Sequence, residues 1–133
     1  MNRVSAAYYV AFDRPVPIDT AMDGKALAAN MSTLSTFCLE AGVHPLELFV
    51  RLPPELARQM MDEIGLADVP LAPEEWFEPA AGVAVLAALI PYVDQNADFV
   101  TQPAALLEDL QRLQTILAAA QGTDARWRLE IDI

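Results

Sequence analysis

Arg126-Trp127-Arg128-Leu129-Glu130-Ile131-Asp132-Ile133 closes the chain with strict alternation of charged and apolar residues. Trp127, Leu129, Ile131 and Ile133 face one way, and Arg126, Arg128, Glu130 and Asp132 face the other. That period of two is the pattern of a strand with one buried face. A similar pattern stands at the opposite end, where Tyr8, Val10 and Phe12 alternate with Tyr9, Ala11 and Asp13. Two strands alone are marginal in water. The termini are therefore expected to pair antiparallel and to pack on whatever lies between them.

What lies between reads as helix. Leu27, Met31, Leu34 and Cys38 recur at helical spacing from about Gly24 to Glu40, with Asp23 as N-cap and Gly42 as the stop. Leu46 to Val50 forms a short helical or extended piece after the turn at Pro45. Pro53-Pro54 opens a second helix ending near Ile64, with Leu56, Met60 and Ile64 as its buried stripe. Ala67 to Glu78, broken by Pro70 and Pro73, is a loop. Pro79 starts a third helix, Ala80 to about Val93, apolar on nearly every side and so expected at the centre, with Pro91 kinking its last turn. Pro103 starts a fourth, seamed by Leu106, Leu110, Leu113 and Leu117 and stopped by Gly122. The expected fold is a single α+β domain over residues 1–133. In it about four helices pack on a small antiparallel sheet formed by the N- and C-terminal strands.

Charge is distributed unevenly. Between Arg58 and Arg112 there are ten carboxylates and no lysine or arginine, within a chain of 133 residues and formal net charge -11. A one-signed surface attracts basic partners and repels nucleic acid. The apolar share of 54% argues for a folded domain, and a single cysteine excludes an internal disulfide framework. Val4 to Phe12 is too short and too aromatic for a secretory signal, and Ala80 to Val93 is shorter than a membrane span needs. A cytoplasmic, membrane-free protein is expected.

Few residues carry reactive chemistry. Cys38 and His44 are the only thiol and imidazole. A Cys-His pair activates a thiol, but Cys38 lies on the apolar stripe of its helix, where cysteine acts as a small hydrophobe. Ser5, Ser32 and Ser35 have no histidine nearby in sequence. Asp94-Gln95-Asn96-Ala97-Asp98 copies the first half of a calcium loop, yet Phe99 replaces its turn glycine and Ala105 its bidentate glutamate. No zinc spacing or glycine-rich phosphate loop exists. No catalytic residue, metal or cofactor is expected.

Pro73-Glu74-Glu75-Trp76-Phe77-Glu78-Pro79 is the most distinctive local segment. Its aromatics either staple the start of the third helix into the core or, ringed by acids, form an exposed binding anchor. Both hold if one ring points in and the other out. With Asp23-Gly24-Lys25, the Glu75–Pro79 segment and the strand Trp127–Ile133, the chain resembles small acidic bacterial proteins of unknown function. It is similar in type to immunity proteins of polymorphic toxins, which implies an inhibitor role without catalysis.

The leading expectation is a non-enzymatic module binding a basic protein, with Glu74, Glu75, Glu78 and Asp94 as charged contacts and Trp76 as anchor. One rival is a small enzyme or ligand-binding protein using clustered carboxylates. Another is a homodimer or larger homo-oligomer, formed through the sheet edge or the leucine seam.

Overall fold

The computed structural model describes residues 6–71 and 73–132. The chain runs through β1 (Ala7–Phe12), α1 (Lys25–Glu40), a 3₁₀ turn at Leu46–Phe49, β2 (Val50–Arg51) and α2 (Pro54–Glu63). It continues through α3 (Pro79–Gln95), a second 3₁₀ turn at Ala97–Phe99, α4 (Pro103–Ala120) and β3 (Trp127–Asp132). Ser5 and Ile133 lie outside the described residues.

The terminal strands pair antiparallel as expected, from Ala7 opposite Asp132 to Phe12 opposite Trp127. The sheet has a third member. β2 runs parallel to β3 with Val50 opposite Leu129, so the order is β1-β3-β2 and the sheet is mixed. Phe77 prolongs the β2 side by exchanging both backbone hydrogen bonds with Trp127, each 2.8 Å. The last strand in sequence is thus the middle strand in space.

The helices cover one face of this sheet. Leu106, Leu110, Leu113 and Leu117 of α4 are all fully buried, so the leucine seam is core. α3 packs on α4 through Gly82, Val85, Leu86, Leu89 and Val93. It is not central on every side. Ala80, Ala81, Ala84 and Ala87 face solvent, because methyl side chains are small enough to leave exposed at little cost. α3 also continues through Pro91 to Gln95. The carbonyl that Pro91 leaves without a helical donor belongs to Ala87, on the exposed side where water can reach it.

Trp127 locks the layers together. Its ring is fully buried, and its Nε1 donates to the Glu78 carbonyl at 3.0 Å. A Cβ on Gly82 would lie 2.4 Å from Cζ2 of Trp127 and 2.5 Å from Cδ1 of Leu117. Glycine at 82 therefore makes the room that the indole fills. The other helix ends depart from expectation in two ways. Gly24, at φ 74, is the N-cap of α1, and the carboxylate satisfying that end is Asp109 of α4. It accepts from Gly24 N at 3.2 Å and Leu27 N at 3.1 Å, while Asp23 only receives Lys25 N. Secondly, α2 has no buried residue. Leu56 is half-buried, but Met60 is 47% and Ile64, at the C-cap, 70% exposed, so the predicted stripe is left largely uncovered.

Asp109→Ala is expected to lower unfolding free energy by about 3 kcal/mol, since two buried N–H groups lose a charged acceptor. Asp109→Asn should fall between the variant and the parent. Urea denaturation followed by far-ultraviolet circular dichroism reads the difference, and an unchanged midpoint would remove Asp109 as the α1 cap.

Candidate functional site

The charged face of β3 was expected to meet solvent, but Arg128 is 3% and Glu130 7% exposed. Residues two apart on a strand share a face, so their side chains meet directly. Arg128 Nε donates to Glu130 Oε2 at 2.7 Å, and the Tyr9 hydroxyl donates to Glu130 Oε1 at 2.8 Å. The Trp76 ring covers the guanidinium, with Cζ 4.1 Å from the ring centre. A buried ion pair survives only when its remaining donors and acceptors are met, and here an aromatic lid and a phenol complete it.

The segment before α3 supplies that lid and three acids. Glu74 Oε1 lies 3.7 Å from Arg128 Nη2, Glu75 Oε1 3.3 Å from Arg51 Nη2, and Glu78 Oε1 3.1 Å from Arg126 Nε. Each glutamate answers a different guanidinium. Both rings are half-buried: Phe77 packs edge-on against Phe49 with centres 5.1 Å apart, while Trp76 lies on Arg128. Of the five residues predicted to bind a partner, Glu74, Glu75, Glu78 and Trp76 thus have internal partners. Asp94 stands exposed on the last turn of α3. These arginine pairs span the chain from Arg51 to Arg128, and no local motif announces them.

A groove of about 330 Å³ separates this segment from α2. Leu52, Pro54, Ala57 and Leu71 form its apolar walls, and Glu74 with Arg128 its polar side. Beyond it, α2 turns Met60 and Ile64 outward, and Leu66 and Val69 in the following turn are 42% and 43% exposed. Arg58 fixes that turn by donating to the carbonyls of Ala67 at 2.9 Å and Val69 at 3.1 Å. The surrounding acids Glu55, Asp62, Glu63 and Asp68 are exposed, and among the described residues none forms an ion pair. Sequence patterning found this amphipathic helix but assigned its stripe to the core.

Cys38 is fully buried, and burial pushes its thiol up, against what a nucleophile needs. The His44 ring lies 6.0 Å from that of Phe49. Asn96, within the half calcium loop, caps α3 by donating from Nδ2 to the Tyr92 carbonyl at 2.8 Å. Among the described residues no group of three or more His, Cys, Asp or Glu side chains is arranged to hold a metal. No helix is long and apolar enough to cross a membrane among those residues. Comparison with known proteins returned no matching family, curated protein or solved structure.

Burial, then the hydrogen bond to Glu130, raises the Tyr9 phenol from 10.0 to about 12. The unfolded chain releases this proton near 10.0 and the folded chain holds it to about 12, so folding stability falls as pH rises through that window. Urea midpoints measured at intervals across it should decline, and Tyr9→Phe should decline less steeply. Equal slopes for the two proteins would detach Tyr9 from the network.

Proposed function

We propose that the chain is a non-enzymatic binding protein of the inhibitor or immunity type, docking a basic protein partner on α2 and the turn behind it. One observation carries this reading: an amphipathic helix with no buried residue, whose Met60 and Ile64 face outward. Water-exposed apolar side chains grouped on one element mark interaction surfaces. The acids around them select the partner. Glu63 lies one turn from Met60, and the exposed Asp68 follows in the turn behind, so a partner presenting apolar anchors among lysines or arginines gains both burial and attraction.

The original docking set shifts in role under this reading. Glu74 and Glu75 form the far rim of the groove, already balanced by Arg128 and Arg51, and Trp76 serves the buried ion pair. A second copy of the chain is a poor occupant for the α2 surface, because each copy brings formal net charge -11. Like-charged rims repel at contact.

The partner is to be captured from the native host and its association with the purified chain timed. Raising ionic strength from about 0.05 M to about 0.5 M should slow association about tenfold, with little change in dissociation. A Met60→Ser, Ile64→Ser double variant should weaken binding about tenfold or more through faster dissociation. Equal affinity of the double variant, or association indifferent to salt, would remove α2 as the docking surface.

A further inference from the structure

We propose that the recess beside the C-terminal half of α1 and the last turn of α3 binds an organic cation, an ammonium or guanidinium group held against Tyr92 and Phe99 with the Glu40 carboxylate nearby. The recess encloses about 520 Å³. Tyr92 lines it, backed by the buried Phe37, whose ring centre lies 5.0 Å away with planes inclined by 53°. Phe99 lines it too while remaining 73% exposed, the most exposed large hydrophobic residue among those described. Glu40 contributes a carboxylate, and Thr36 and Asn96 contribute polar groups.

The surroundings favour a cation there. The faces of aromatic rings carry negative potential and attract cations brought within about 6 Å of their centres. Glu40 adds a formal negative charge. α1 and α3 both end at the recess: Phe37 and Glu40 belong to the last turn of α1, and Tyr92 to that of α3. Helix C-termini carry partial negative charge, which a basic side chain in the last turn commonly offsets. Neither last turn has one, and no lysine or arginine lines the recess. Burial and then the nearby Glu40 raise the Tyr92 phenol, consistent with a hydroxyl close to that carboxylate. An anion would meet the Glu40 charge with no lysine or arginine to offset it, and a neutral apolar molecule would gain nothing from Glu40 or the helix ends.

This site is independent of the α2 docking surface, since no residue of α2 lines it. The cation is either a free amine or a basic side chain of another protein, and the probes separate the two. Tetramethylammonium and N-acetyl-arginine methylamide are each titrated into the full chain while backbone amide resonances are followed. The neutral isostere 3,3-dimethylbutanol serves as control. Saturable shifts at Thr36, Tyr92, Asn96 and Phe99 are expected with the cations and not with the alcohol. Phe99→Ala and Glu40→Gln, both at exposed positions, should each weaken binding about threefold to fivefold, the loss of one exposed cation contact. Tighter binding of tetramethylammonium assigns a free amine, and tighter binding of the arginine derivative assigns a partner side chain. Equal response to the alcohol, no saturable shift with either cation, or unaltered affinity in both variants would overturn the proposal.

Discussion

The contact between Trp127 and Gly82 is the constraint on which the rest of the molecule depends. The indole occupies the space where any larger residue at 82 would stand, so α3 seats against the sheet at one position. Its Nε1 bonds to the carbonyl of Glu78, which fixes where α3 begins. Its backbone bonds to Phe77 on one side and pairs with Phe12 on the other. Phe49 completes the enclosure with its ring centre 4.8 Å away. One residue near the end of the chain therefore coordinates the first strand, the short β2 neighbourhood and the longest apolar helix. Well-packed interiors transmit changes of even a methyl group, and this contact has no slack.

Away from that contact, the arginines serve the fold. Arg128 fills the outer layer of β3, Arg58 braces the turn after α2, and Arg112 holds the 19–21 stretch through the carbonyls of Asp19 and Ala21. Positive groups committed in this way are not free to neutralise distant acids at close range. Among the described residues Asp62, Glu63 and Asp68 form no ion pair around the amphipathic α2, although Arg58 stands one turn from Asp62, whereas Glu74, Glu75 and Glu78 are each paired. The acidity of the middle of the chain divides into a structural share and a share open to solvent.

Elements whose partners are periodic in sequence were legible. The alternation in β1 and β3, the leucine seam of α4 and the proline starts of α2, α3 and α4 all follow from local rules. β2 was not, because Val50 and Arg51 are too few to show a period. Asp109 capping Gly24 joins residues 85 apart, and the Tyr9–Glu130 bond joins residues 121 apart. No window of sequence contains both members of either pair. The stripe on α2 failed differently: amphipathicity establishes that a helix has an apolar side, but not which molecule covers it. At the candidate site, composition revealed the acids and the aromatic pair, while the arginines that hold them came from distant segments.

Gly24 has a role beyond starting α1. Its carbonyl accepts from Tyr8 N at 3.1 Å, and a Cβ there would lie 1.8 Å from the Tyr8 carbonyl oxygen. The outer border of β1 is thus stoppered near its beginning by the backbone of a helix start. An unpaired strand border is the usual template for another chain to add to, and growth along it needs an unbroken row of donors and acceptors. The same glycine that lets α1 approach so closely interrupts that row, so the free border of β1 offers a would-be added strand no continuous ladder.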